Sequence, residues 1–486
     1  SRNGRRRHPL RLSRPRRFGK SITIGTLHEL YLGNQELFKG LWIEDHWDWS
    51  RKHPVIRLSF TSIGYQSLGL TPALEQELRA IAKAHEVSLT KDGIAPMLKE
   101  LLTILATQQA KVVVLVDEYD APIINYLSKD MALAEKNRDI LREFYTVLKD
   151  MDAYVEFVFL TGVSKFSKVG IFSGLNNLQD ISLHPAFANM LGYTQQELEE
   201  NFAEEINAAA AQISLSREAL LEQMRLWYNG YRFHTRSETV YNPVSVNLFF
   251  NTREFQNFWF ATGTPSFLVG ILKKEGLFDL HLPAMNLNGF ESFELDRLKP
   301  VSILYQTGYL TIQGIDDDGL VTLDYPNKEV RDSMLEVLIE GFVGVDAELS
   351  SSLIIKIRNA FLTNDLEALF RILQGVFKKL PYFLHEHYPE KFFHAAIHLL
   401  FSLLGVRIHS EVCTSDGRVD SMVETDTHVY VLEYKLDESA EIALAQIRQK
   451  RYYQAFWNLG KPVIGIGVNF SSISKNIEDW KAEAMG

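Results

Sequence analysis

Three short groups of residues in this 486-residue chain carry the side chains that phosphate and metal chemistry needs. The first is Gly19-Lys20-Ser21: a glycine that lets the chain turn, a lysine that reaches a phosphate, and a hydroxyl able to ligate Mg²⁺. The second is Asp117-Glu118, tandem acids that follow Val112-Val113-Val114-Leu115-Val116. Neighbouring side chains of a strand point to opposite faces, so these acids divide the work. Asp117 suits Mg²⁺, and Glu118 suits orienting or deprotonating an attacking water. The third is Asp420 with Glu433-Tyr434-Lys435. Glu433 and Lys435, two apart, share a strand face. Asp420 and Glu433 offer hard oxygens to Mg²⁺, while Lys435 orients water or steadies charge on phosphorus.

The elements that must position these groups are readable from the flanking sequence. The apolar run Val112–Val116 is mostly β-branched and reads as a strand buried on both faces in a parallel sheet. Open α/β sheets place ligands beyond the carboxyl ends of such strands. Leu10–Ser13 reads as a strand, Arg14–Ser21 as a loop and Ile22–Leu32 as a helix, the order a phosphate-binding loop requires. Its members are Arg14, Pro15, Arg16, Arg17, Phe18, Gly19, Lys20 and Ser21. Arg14 stands where G-x-x-x-x-G-K-[ST] has its first glycine, so Pro15 is the candidate for setting an alternative bend.

Further strands at Val55–Phe60 and Val155–Leu160 alternate with helices near Pro72–His85, Gly93–Gln108 and Met131–Asp150. That alternation predicts a doubly wound parallel sheet. Thr161, Ser164 and Lys165 are candidates for sensing the γ-phosphate, each equally readable as a polar turn residue. Gly162–Leu178 is read as a long loop, and Leu198–Tyr231 as helical. Arg232 reads as a surface arginine in preference to a phosphate finger.

Downstream, Tyr309–Ile312 and Leu320–Leu323 flank the turn Asp316-Asp317-Asp318-Gly319, the pattern of a β-hairpin after a short helix at Val301–Tyr305. This suggests a winged-helix-like module, with an acidic tip that favours packing or a lid over DNA contact. Residues 329–385 read as helical. In the last hundred residues, Arg407–Val412, Gly417–Asp420 and His428–Lys435 read as strands, with Asp420 ending one of them. Together with Glu433 and Lys435 this is the layout of a PD-(D/E)XK nuclease core. Glu411 would complete the metal site, and Gln446 on the following helix would support it. His394 and His398 form an i, i+4 pair, but H-E-x-x-H is absent and helix packing is the better reading.

Composition narrows the class. A hydrophobic fraction of 46% with 23% charged residues fits soluble globular protein, and the length calls for several domains. No apolar run has membrane-spanning length. The single cysteine, Cys413, excludes an internal disulfide and a cysteine-based zinc cluster. No secretory leader is read, so the expected location is the cytoplasm. The net charge of -10 argues against coating of nucleic acid, so any such contact is a local patch. Nine of the 51 Lys and Arg lie in the first 20 residues, which hold no acid. A truncated start is the expected reading of that basic stub, ahead of a nucleic-acid arm.

With these residues in view, the chain resembles the AAA-ATPase-like family whose members carry a C-terminal PD-(D/E)XK nuclease superfamily domain. The resemblance rests on Arg14–Ser21 (RPRRFGKS), Val112–Asp120 (VVVLVDEYD), Thr161–Leu178, Trp227–Phe233 (WYNGYRF), Trp259–Thr264 (WFATGT), Gly417–Asp420 and Glu433–Lys435. It implies an α/β P-loop NTPase sheet of the AAA+/ASCE type over residues 1–235. A helical, winged-helix-like lid is expected over 236–345, a helical connector over 346–385 and a PD-(D/E)XK-like α/β domain over 386–486. The implied cofactors are ATP and Mg²⁺. The implied partner is nucleic acid, DNA ahead of RNA, with no membrane and with a homo-oligomer allowed. The expected function is a bacterial ATPase coupled to a Mg²⁺-dependent nuclease-like domain. The alternative is a nucleotide-dependent switch whose last domain binds nucleic acid or a protein without cutting, and a decayed product without turnover is a third reading.

Overall fold

The computed structural model describes residues 8–127, 129–164, 171–172, 175, 177–259, 284–286, 300–343, 347–378, 397, 407–414 and 417–485. Lys165, His394, His398 and the side chain of Glu411 lie outside the described residues. The chain divides into two compact units, Ser1–Ile271 with His281–Val330, and Leu272–Leu280 with Arg331–Gly486.

Five parallel strands organise the first unit: β1 (Leu10–Ser13), β2 (Val55–Ser59), β3 (Val112–Asp117), β4 (Val155–Gly162) and β5 (Gln179–Asp180), in the order β2-β3-β4-β1-β5. All of β3 is buried, as its unbroken apolar run requires. Val113 and Leu115 pack with Ile24 and Tyr31 of helix α1 (Lys20–Leu32). Helix α2 (Ile94–Gln108) also packs on β3 and buries Met97, Leu98, Leu101, Leu102 and Leu105. Because β4 lies between β1 and β3, Thr161 pairs with Leu12 on one side, and Leu160 pairs with Val116 on the other. The loop strand, the threonine strand and the acidic strand therefore end at one edge of the sheet. A part-buried ion pair, Arg11 to Asp180 at 2.7 Å, ties β1 to β5.

The helical stretch Leu198–Tyr231 consists of three helices: Gln195–Asn201, Ala203–Gln212 and Arg217–Tyr228. Ser214 turns the chain at φ 58°, and the Ser216 hydroxyl accepts the Ala219 N–H to start the last of them. The hairpin is present as β6 (Thr311–Ile315) and β7 (Val321–Asp324), after helix α3 (Pro300–Thr307). The Asp316 carboxylate closes its tip by accepting the N–H groups of Asp318 and Leu320. Arg232 is held by this hairpin, its guanidinium donating to Gln313 O at 2.6 Å. Helix α4 (Lys328–Val343) follows.

The second unit carries a five-stranded sheet of its own. Strands β8 (Arg407–Thr414), β9 (Gly417–Glu424) and β10 (Val429–Leu436) run antiparallel in sequence. Helix α5 (Ala440–Lys450) then crosses to β11 (Val463–Ser471), parallel to β10, and β12 (Asn476–Met485) returns antiparallel on the edge. Asp420 does not end its strand, as the sequence pattern suggested, because β9 stays paired with β8 to Glu424. What ends near Asp420 is the ladder to β10, whose last pair is Leu432 with Ser421.

Among the described residues no helix is long and apolar enough to cross a membrane. Gly467 on β11 pairs with Glu433 on β10, and α5 crosses directly above it. A Cβ at Gly467 would stand 2.1 Å from Ala440 O and 2.6 Å from Leu444 N, both backbone atoms that a rotamer change cannot move. Gly467→Ala is expected to lower stability by about 1–3 kcal/mol through overpacking. Chemical denaturation checks this, and an unchanged midpoint would show that α5 shifts freely.

Candidate functional site

The loop after β1 turns without a leading glycine because Arg14 is bonded into the fold. Its guanidinium donates to the carbonyls of Ser13 at 2.9 Å, Ser182 at 2.8 Å, Phe187 at 2.7 Å and Met190 at 3.3 Å. It also lies 4.0 Å from the centre of the Phe233 ring. Burial lowers the Arg14 pKa to about 10, which still leaves it cationic at neutral pH. Phe18 is buried edge-on against Tyr231 and Phe233, at 4.8 and 5.4 Å. The side chains of Arg14 and Phe18 thus anchor the loop and do not face its ligand side. Gly19, at φ 80°, caps α1 in the left-handed conformation that glycine adopts without steric cost.

Arg16, Arg17, Gly19, Lys20 and Ser21 line a cavity of about 610 Å³. The Lys20 ammonium donates to Arg14 O at 3.0 Å and Pro15 O at 2.8 Å. Burial draws its pKa down to about 8, opposed by the charges of Asp120, Glu118 and Asp117. Lys20, Glu118 and Asp120 line the same cavity.

The acids behave differently from one another. Asp117 is buried, and its Oδ1 accepts the Thr161 hydroxyl at 2.6 Å. Glu118 lines the cavity with a left-handed backbone, φ 52°, a conformation that costs a non-glycine residue free energy and clusters at functional sites. Asp120 also lines the cavity, and sequence reasoning assigned it no role. Its Oδ2 accepts the N–H of Val163 at 3.0 Å and both the N–H and hydroxyl of Ser164 at 2.6 Å. Burial raises its pKa against those bonds. Ser164 is therefore used within the fold. Three other cavity residues, Asn125, Trp259 and Tyr309, were also missed. Trp259 was visible only as part of a family motif, and Tyr309 only as a strand residue.

In the second unit, Asp420, Glu433, Lys435 and Gln446 converge. Asp420 stands opposite Glu433 where β9 and β10 part, so both project on one face. Asp420 Oδ2 accepts the Tyr434 N–H at 2.8 Å. Glu433 Oε1 accepts from the Gln446 amide and lies 3.8 Å from Lys435 Nζ. Glu433 Oε2 is buried with no hydrogen-bond partner. Burial, then the charge of Asp420, raises the Glu433 pKa to about 8, with Lys435 opposing. A buried carboxylate with one oxygen unsatisfied beside a second acid fits a hard divalent cation. Among the described residues no group of three His, Cys, Asp or Glu is placed to hold a metal ion.

Residues 5–172 match the family of predicted AAA-ATPases, and residues 388–480 match the PD-(D/E)XK nuclease superfamily. The uncharacterised protein in the vnfD 5′ region of Azotobacter chroococcum mcd 1 is 37% identical over 494 residues, covering 98% of this chain and 92% of that protein. This chain belongs to the AAA-ATPase-like family with a PD-(D/E)XK nuclease superfamily domain. The family sheet in its first unit is the parallel α/β sheet described above. Among solved structures, the Orc1 protein of Aeropyrum pernix in complex with DNA is 13% identical, covers 70% of this chain and 88% of its own, and has a TM-score of 0.24.

Glu433 makes stability depend on pH in a defined direction. Its folded pKa of about 8 lies above the ordinary 4.5, so the folded chain holds more protons than the unfolded one between those values. Its contribution is fully present below pH 4.5 and is lost as pH rises through 8. Glu329, buried and raised to about 7, acts with the same sign in the first unit. Glu433→Gln is expected to become more stable relative to the parent between pH 5 and pH 8.5. Thermal melts of both proteins at the two pH values check it, and parallel pH profiles would refute the assignment.

Proposed function

We propose that the chain is an ATP-hydrolysing P-loop enzyme coupled to a Mg²⁺-dependent nuclease-like domain that acts on nucleic acid, DNA ahead of RNA. The observation that carries the first half is the cavity where the Lys20 loop meets Glu118 and Asp120. Lys20 leaves the carbonyls of Arg14 and Pro15 for the phosphates, assisted by Arg16 and Arg17. Ser21 and Asp117 are the Mg²⁺ ligands, a hydroxyl and a carboxylate of the kind that ion takes. When bound, the ion supplies charge neutralisation on the phosphate oxygens. Glu118 accepts the proton of the attacking water, and Thr161 holds Asp117 in register as the sensor.

In the second unit, Asp420 and Glu433 are the cation ligands, completed from β8 by Glu411. Lys435 orients the water, and Gln446 fixes the Glu433 carboxylate. Because Glu433 must be ionised to ligate, cation affinity rises with pH.

Two measurements on the purified full chain test these halves separately. Lys20→Ala is expected to abolish ATP binding. Glu118→Gln is expected to keep binding while slowing hydrolysis about 10²–10⁴-fold, the usual worth of a positioned general base. Full turnover in Glu118→Gln would remove that residue from the chemistry. Lys435→Ala is expected to abolish Mg²⁺-dependent nicking of a plasmid and leave gel-shift affinity intact. DNA that the parent binds but does not nick at any pH up to 9 would instead favour a switch that binds without cutting.

A further inference from the structure

The cavity beside Lys20 has a lining of two kinds. Arg16, Arg17, Lys20 and Ser21 suit phosphates, whereas Ile22, Ile124, Trp259 and Tyr309 offer apolar and aromatic surface for which phosphates have no use. Trp259 and Tyr309 are paired edge to face, their ring centres 4.9 Å apart at 74°. They are 7% and 6% exposed, and both border the cavity.

Both rings sit on backbone that the fold holds firmly. The Trp259 N–H donates to Glu329 Oε1 at 2.8 Å, and Glu329 is itself fully buried in the first turn of α4. The Ser245 hydroxyl lies within 3.1 and 2.9 Å of the two Glu329 oxygens, fixing that carboxyl group. On the other side, Gly308 takes φ 89° and lies against Pro15 of the phosphate loop. A Cβ at Gly308 would stand 2.5 Å from Pro15 Cβ, so the chain reaches Tyr309 in contact with the loop that holds Lys20. The aromatic pair is therefore packed directly against the phosphate loop.

We infer that the Trp259–Tyr309 pair is the surface on which the base of a bound nucleoside triphosphate stacks. The inference rests on the nucleotide reading of the cavity and adds to it the means by which a nucleotide is preferred to inorganic polyphosphate. Stacking uses the flat face that every base possesses, so this pair selects for the presence of a base and contributes little to choosing among bases.

The test is calorimetric binding of ATP and of inorganic tripolyphosphate, each with Mg²⁺, to the full chain and its Trp259→Leu, Trp259→Phe and Lys20→Ala forms. Leucine keeps apolar bulk at the site and removes the flat ring, while phenylalanine keeps a ring. Trp259→Leu is expected to weaken ATP about tenfold or more and leave tripolyphosphate within about twofold. Trp259→Phe is expected to recover most of the ATP affinity, and Lys20→Ala to lose both ligands. Equal loss of both ligands in Trp259→Leu would make the residue a support for the loop and overturn the inference. So would unchanged ATP affinity in that variant. A parent that binds neither ligand would remove the nucleotide reading itself, a result distinct from either.

Discussion

The structure depends on keeping a lysine ammonium out of water beside three carboxylates that are themselves buried or half-buried. In a medium of low effective dielectric, unlike charges attract strongly, but each also loses solvation that only close partners return. Lys20 regains it from the carbonyls of Arg14 and Pro15, and Asp120 from the amides and hydroxyl at residues 163 and 164. Those partners lie on the ends of β1 and β4, so the strand order is what makes the charge cluster tolerable. A sheet with β3 beside β1 would have put the acids against the loop without the Thr161 strand between them.

Much of this frame was legible from residue types alone. An apolar β-branched run ending in acids reads as a strand buried on both faces, and Gly-Lys-Ser between a short strand and a helix marks another strand, which finishes at the same end of the sheet with β4 between the two. The pairing of Glu433 with Lys435 on one strand face followed from the two-residue period of a strand. Less legible was anything set by contacts distant in sequence. Asp120 takes its role from residues 163 and 164, and Trp259 from Glu329, seventy positions away. No local pattern encodes such partners. The helical reading of Leu198–Tyr231 carried no boundaries, and those are set by a left-handed residue at Ser214 and the Ser216 cap.

The two units solve a similar electrostatic problem with different means. In the first, a cation from another element, Lys20 of α1, faces the acids at the end of β3, and backbone amides satisfy the most buried one. In the second, Glu433 keeps a buried oxygen without a partner and meets the repulsion of Asp420 by holding its proton to about pH 8. Gln446 and Lys435 meanwhile keep the group from swinging to a different partner.

Arg14 shapes the loop after β1 through tertiary contacts. Where a leading glycine buys shape through conformational permissiveness, this chain gets it from a planar, donor-rich side chain wedged among carbonyls of segments far away in sequence. The curvature is thus a property of tertiary structure, and the segment at residues 182–190 belongs to the loop as much as residues 14–21 do. A glycine-first loop in its place would strand those carbonyls, at about 1–3 kcal/mol for each that remains buried. Replacing Arg14 by glycine would therefore require several distant segments to change together.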